Sequence, residues 1–279
     1  SAMARPSATH HSKATSSERV KTEVGSMYPR PVGKVNDPVG KGITKDGLHF
    51  VRLATLLWCV LVAACGPAPA PVDSIARAPY YQAPALLERA WRLPVAKTYP
   101  NPIEYQGNGA FCGPATLVNL FRSLGIDRYD QESLFDRAEV SRWKARFRGM
   151  TLDELAGLIR SNADLEVAVL RDLTREAFRA HLQRMNDPTN RYLINFNRYP
   201  LFGVDIGHFS PLGGYLADSD LVFVLDVLDD YKPFLVPADR LYVAMDTVDS
   251  ETGKKRGLLL VRAAVAPLSA PAMRPGKVP

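Results

Sequence analysis

A chain of 279 residues has room for one large domain or two small ones, and a hydrophobic content of 46% is too high for a wholly disordered protein. Its formal charge of +6 points at first toward a nucleic acid or a membrane, yet of 35 Lys/Arg and 29 Asp/Glu, nine and four fall within residues 1–64, which leaves 26 and 25 from Cys65 onward. The larger part is close to neutral and has no evident basic patch, which argues against DNA or RNA binding.

Residues 1–52 are rich in Ser, Lys, Gly and Pro without apolar periodicity and read as disordered, with Met27 a second candidate start. Lys41, Lys45 and Arg52 precede a mainly apolar run over residues 53–64 that ends in Val62-Ala63-Ala64-Cys65. This resembles a bacterial lipoprotein signal, because twelve residues fall well short of the roughly 20 that span a bilayer. Cys65 would then be lipidated, and the protein would be exported and anchored to a bacterial membrane facing the periplasm. Gly66, where an Asp would favour the inner membrane, leans toward the outer one. Cys59 leaves with the signal, so the mature domain keeps a single reactive thiol, Cys112, and no disulfide framework. A lone Cys in an oxidising compartment is either buried and inert or used as a reagent.

Residues 65–98 begin with a Pro/Ala-rich stretch and read as a semi-rigid tether. Apolar residues at helical spacing predict a helix over 113–124, closed by Gly125, which sets Cys112 at a helix N-terminus. Further helices are expected over 131–140, over 151–161, where Thr151 and Glu154 match a capping box, and over 174–185 after a short strand at 166–170. Beyond Asn186-Asp187-Pro188 the pattern changes, and residues 191–196, 208–215, 220–226 and 257–264 read as strands. The tail from Pro267 reads as loose. The fold class expected is α+β: a helical lobe over 99–188 carrying the nucleophilic Cys, followed by an antiparallel sheet lobe over 189–266 carrying His and Asp.

A helix N-terminus and a neighbouring imidazolium both favour a thiolate, and Cys112 has the first. Of the two histidines in the mature chain, His181 lies in an amphipathic helix and reads as ordinary, whereas His208 opens a strand in Gly207-His208-Phe209. Asp226, at the end of the apolar run 221–225, is costly to bury unpaired and is the candidate to orient that imidazole. Gln106, six residues before Cys112, is the candidate side-chain donor to an oxyanion beside the Cys112 backbone N–H.

The segment QGNGAFCGPATL from Gln106 to Leu117 resembles the nucleophile region of the phytochelatin synthases, and GHFSPLGGY from Gly207 to Tyr215 resembles their histidine segment. Leu225-Asp226-Val227, with Asp226 eighteen residues after His208, and Ala244-Met245-Asp246-Thr247 followed by Arg256-Gly257 extend the similarity. Weaker likeness runs through residues 151–178 and 194–198, so that it covers about residues 99–263. The resemblance implies a papain-like fold that cleaves glutathione between cysteine and glycine through a γ-glutamylcysteinyl thioester on Cys112, with His208 as proton donor oriented by Asp226. The acyl group would pass to water or to a second glutathione, giving a phytochelatin. It also implies Arg256 as a carboxylate-binding guanidinium, with Asp249 for the substrate amine and Gly207 beside them. Metal, cadmium or zinc, would enter as a thiolate complex of the substrate, since one Cys and two His offer no protein metal site of the usual kind. Members of the family can form homodimers, although no feature of this chain demands one.

Two departures bear on the acceptor. Leu228-Asp229-Asp230 stands where plant-type members have a basic stretch, and their Cys-rich C-terminal half is missing, so hydrolysis is expected to exceed polymer synthesis. The competing readings are a papain-like peptidase resembling the double-glycine leader peptidases, and a non-catalytic lipoprotein that binds a partner or thiol ligand.

Overall fold

Short runs rich in Val, Ile, Leu and Phe in the second half of the chain build one antiparallel sheet of six strands, and the computed structural model describes it together with its helices over residues 73–263. In chain order the elements are α1 (Pro84–Trp91), α2 (Cys112–Ser123), α3 (Arg142–Arg148), α4 (Leu152–Asn162), β1 (Leu165–Leu170), α5 (Arg175–Gln183), β2 (Arg191–Asn197), α6 (Tyr199–Phe202), β3 (Gly207–Leu216), β4 (Leu221–Val224), β5 (Phe234–Pro237), α7 (Ala238–Met245) and β6 (Gly257–Ala263). The strand order is β1-β6-β2-β3-β4-β5, and every pairing is antiparallel.

Both faces of the sheet are covered, which is why its inner strands read as continuous apolar runs. Leu193, Phe223, Leu235 and Leu259 join a core with Leu117, Leu120 and Phe121 of α2 and Leu155 and Ile159 of α4. Their strand neighbours Ile194, Val222, Phe234 and Leu258 join a second core with Phe178 and Leu182 of α5 and Leu241 and Met245 of α7. The helix bearing Cys112 thus comes first and lies on β3, while His208 and Asp226 come from the later sheet region, the expected α+β order.

The capping box forms as expected: Thr151 Oγ1 accepts from the Glu154 N–H at 3.2 Å, and Glu154 Oε2 accepts from the Thr151 N–H at 2.8 Å. Such a cap contributes about 1 kcal/mol. The helix expected over 131–140 does not form. Asp130 Oδ1 accepts from the backbone N–H of Glu132 at 3.0 Å and of Ser133 at 2.8 Å, a local alternative to helical bonding that leaves only a 3-10 turn, Ser133–Phe135. The helix of this region is α3, entered from Ser141, whose hydroxyl accepts from the Lys144 N–H at 3.2 Å.

The tether reading fails for residues 73–98. Tyr81 stacks on Phe234 with ring centroids 5.2 Å apart, its carbonyl accepts from the Leu235 N–H at 2.9 Å, and Trp91 of α1 packs its edge on Phe223 at 5.1 Å. Pro84 sits in the first turn of α1, where proline is tolerated, so a Pro/Ala-rich composition masked a docked helix. Likewise β1, inside the segment assigned to a helical lobe, is an edge strand of the sheet, and the strand expected over 220–226 stops at Val224. The leader, the apolar run 53–64, Cys65, the stretch 66–71 and the tail from Pro267 lie outside the described residues. Among the described residues no helix is long and apolar enough to cross a membrane.

Candidate active site

Cys112 is the first residue of α2, and Phe111 before it offers no side-chain cap, so the positive end of the helix is turned toward the thiol. The residue is only 8% exposed. Burial opposes ionisation of the thiol, but the hydrogen bond and charge of His208, the Phe209 N–H and the charge of Arg198 outweigh it and hold the pKa below the ordinary thiol range. His208, at the start of β3, donates from Nε2 to Asp226 Oδ1 at 3.0 Å. With Nε2 so engaged, Nδ1 is the ring nitrogen that serves the sulfur. Burial lowers the imidazole pKa, yet the carboxylate of Asp226 more than restores it, and the net direction is upward. Burial likewise pushes Asp226 up, and the charge of His208, helped by Arg198 and the Leu228 N–H, brings it below the usual carboxylate range. The ring of His208 is further fixed edge-on against Phe196, with centroids 5.5 Å apart. The structure therefore brings Cys112, His208 and Asp226 together.

Arg198 had no role in the sequence reading. It is 2% exposed, its Nη2 donates to both oxygens of Asp226 at 2.9 and 2.8 Å, and its guanidinium lies 3.8 Å from the centre of the Tyr231 ring. The one signal in the sequence was a charged residue directly after the apolar strand β2.

Gln106 is tied to the loop after Asp226 by its backbone N–H, which donates to the Val227 carbonyl at 2.8 Å. Its side-chain Nε2 donates to the Asn108 carbonyl at 2.8 Å, so one of its two amide protons is spent on its own loop.

Beside Cys112 opens a cavity of about 310 Å³, the lower end of the range for small-molecule sites. Gly207, Asp249 and Arg256, all expected from the sequence, line it, together with Asn195 and Phe209. Arg256 Nη1 donates to Asn195 Oδ1 at 2.8 Å and stands 3.5 Å from Asp249 Oδ2. Burial lowers the Arg256 pKa, with Asp249 opposing. Gly207 makes room for this guanidinium: a Cβ at that position would fall 2.5 Å from Arg256 Nη1. Arg148, Ser250 and Glu251 also line the cavity and were not anticipated. Gln106, His208 and Asp226 do not line it. His181 is elsewhere, with Nδ1 3.1 Å from the Tyr192 hydroxyl. Among the described residues no group of three His, Cys, Asp or Glu could hold a metal ion.

The profile of the phytochelatin synthase family matches residues 81–258. Glutathione gamma-glutamylcysteinyltransferase 3 of Lotus japonicus is 34% identical over 168 residues, 56% of this chain and 35% of that protein. Glutathione gamma-glutamylcysteinyltransferase 1 of Triticum aestivum is 35% identical over the same length and 33% covered, and the Schizosaccharomyces pombe enzyme is 28% identical over 176 residues and 42% covered. The matched part of the chain therefore spans between a third and a half of these relatives' length. Among solved structures, the peptidase domain of Streptococcus ComA, a bi-functional ABC transporter involved in quorum sensing, is similar with a TM-score of 0.40 and 15% identity, covering 57% of this chain and 96% of that one.

Proposed function

The chain belongs to the phytochelatin synthase family, and from that premise we propose that it cleaves glycine from glutathione through a γ-glutamylcysteinyl thioester on Cys112. The observation that carries the reading is the thiol of Cys112, lowered in pKa by His208 and opening onto the cavity with Arg256 and Asp249.

The thiolate of Cys112 attacks the carbonyl between the substrate's cysteine and glycine, and charge develops on the carbonyl oxygen. The Cys112 backbone N–H and the second amide proton of Gln106 are the donors assigned to that oxyanion. As the intermediate collapses, the proton on His208 Nδ1 passes to the departing glycine nitrogen, the C–N bond breaks and the thioester remains. Asp226 keeps the ring oriented by holding Nε2–H. The neutral imidazole then takes a proton from the acceptor, water or the amine of a second glutathione, which attacks the thioester and restores the thiolate and imidazolium.

Hydrolysis is favoured over transfer because Asp229 and Asp230 follow the triad aspartate and would repel the carboxylates of a second glutathione. Cadmium or zinc enters this scheme as a thiolate complex of the substrate. Lipidation at Cys65 and membrane attachment are retained as part of the reading, tested by detergent partition of the full chain beside Cys65→Ser.

The enzymatic test is glutathione incubated with the full chain, with and without cadmium or zinc, and products followed by mass spectrometry beside Cys112→Ala. Glycine release lost in the variant is the expected result. No turnover by folded protein would overturn the substrate and favour a peptide instead.

A further inference from the structure

The helix that carries Cys112 at its N-terminus meets a buried cation at its other end. Every residue of α2 except Arg122 is buried, so protein rather than water surrounds its length. In its last turn the Phe121 carbonyl accepts from the Leu124 and Ile126 N–H groups at 3.0 and 2.8 Å, and the Arg122 carbonyl from the Gly125 N–H at 3.0 Å. The Ser123 carbonyl accepts instead from Nη2 of Arg191, the first residue of β2, at 3.0 Å. Nε of the same guanidinium donates to Ser123 Oγ at 3.0 Å, and Nη1 to the carbonyls of Pro188 and Asn190 at 2.6 and 3.0 Å.

Arg191 is 3% exposed, and its acceptors are uncharged oxygens, with no carboxylate among the described residues paired to it. Tyr99, the titratable group beside it, supplies no countercharge, because burial pushes its hydroxyl up to about 12. Arg122, on the same turn, is 33% exposed and paired with both Glu104 and Asp127, a surface cluster that water screens. A guanidinium stays charged throughout the working pH range, so the charge of Arg191 is answered by the negative end of the α2 dipole.

Twelve residues at 1.5 Å each set Arg191 and the thiol about 18 Å apart along that buried helix. At an effective dielectric of about 20, a unit charge at this distance moves a pKa by about half a unit. His208, Arg198, Arg256 and the Phe209 N–H face the thiol directly, and the contribution of Arg191 adds to theirs. We propose that Arg191 is a positioning residue for the nucleophile, its charge reinforcing the α2 field that favours the Cys112 thiolate.

The test is the pH dependence of iodoacetamide alkylation at Cys112 in the full chain. It is read by mass spectrometry on the peptide containing Cys112, so that Cys59 and Cys65 do not contribute. Arg191→Met removes the charge. Ser123→Asp keeps the guanidinium and cancels its charge with a carboxylate, while Ser123→Asn has nearly the same shape and no charge. Arg191→Met and Ser123→Asp are each expected to raise the midpoint by about half a unit, and Ser123→Asn to leave it in place. Urea denaturation of each variant separates a loss of stability, which all three can share, from the midpoint, which the change of charge moves. Equal midpoints in Ser123→Asp and Ser123→Asn, or an unmoved midpoint in folded Arg191→Met, would overturn the proposal. Should Arg191→Met fail to fold, the two Ser123 variants decide alone. No glutathione enters the measurement, so failure of the proposed substrate would leave this result standing.

Discussion

A single nitrogen of Arg198, Nη2, donates to both carboxylate oxygens of Asp226, at 2.9 and 2.8 Å, with the two side chains 2% and 0% exposed. Asp226 Oδ1 is at the same time the acceptor of His208 Nε2–H, so the orienting carboxylate is itself oriented from behind. A buried pair of this kind contributes little net stability as a whole but is costly to break from one side. Arg198→Met should therefore destabilise the fold by about 3–5 kcal/mol, read from urea denaturation, and Asp226→Asn added to it should return part of that loss. The charge of Arg198 also lowers both the Cys112 thiol and the His208 imidazolium. Its removal should move both limbs of the pH–rate profile upward, whereas a purely structural defect would lower the rate without moving them.

Thiolate character gives a second prediction. The Cys112 pKa is lowered and that of His208 raised, so alkylation by iodoacetamide should remain fast well below the ordinary thiol pKa of about 8.5. In His208→Ala the burial that raises the thiol pKa loses its main opponent, and the alkylation rate at pH 7 should fall by at least about tenfold. Stability is linked to the same groups. Asp226, lowered in the fold, contributes stability present above about pH 4 and lost as pH falls through its folded pKa. His208, raised in the fold, contributes stability fully present below about pH 6.5 and lost as pH rises through its folded pKa. The difference in urea midpoint between the unmodified protein and Asp226→Asn should shrink in both directions from that window.

Gln106 has one amide proton bound to the Asn108 carbonyl and one left to give. If that proton meets the oxyanion, Gln106→Ala should lower kcat about ten- to hundredfold with KM little changed, below the loss seen where a donor is fully dedicated. Alkylation of Cys112 should be little affected, because the amide is not among the groups that hold the thiol's pKa down. A change in KM alone would assign Gln106 to substrate binding instead.

What could be read from the sequence was what local chemistry decides. Thr151 and Glu154 form their capping box because both bonds lie within one turn, and Cys112 at a helix start and His208 at a strand start keep their expected places, with Asp226 just beyond its strand. Arg198 and Arg148 could not be read that way. The first matters through Asp226 and Tyr231, distant in sequence, and the second lines a cavity that exists only once α3 lies beside α2 and the loop at 249–251. In α3 the apolar pair at helical spacing, Trp143 and Phe147, is 72% exposed at both positions, so the pattern does not mark the face that packs. The strand Phe234–Pro237 is four residues long, too short for a periodicity argument, and gains its place from Tyr81 and Val224.

Gly207 offers the cleanest separation of substrate binding from chemistry. It directly precedes His208 on β3 yet faces the cavity, and an added Cβ would lie 2.5 Å from Nη1 and 2.9 Å from Nη2 of Arg256. Backbone on one side and the hydrogen bond to Asn195 on the other leave the guanidinium as the group that must shift. Gly207→Ala should therefore displace Arg256 from Asn195 and Asp249 and raise KM for glutathione by about tenfold or more, with kcat reduced much less. Because the Cys112–His208–Asp226 bonds do not pass through Arg256, the rate of Cys112 alkylation should stay close to that of the unmodified protein, its pH dependence moving only slightly upward as the attraction between Arg256 and the thiolate weakens. Loss of alkylation in Gly207→Ala would show instead that the added methyl shifts β3 itself, and would place the role of Gly207 in aligning His208 rather than in making room for Arg256.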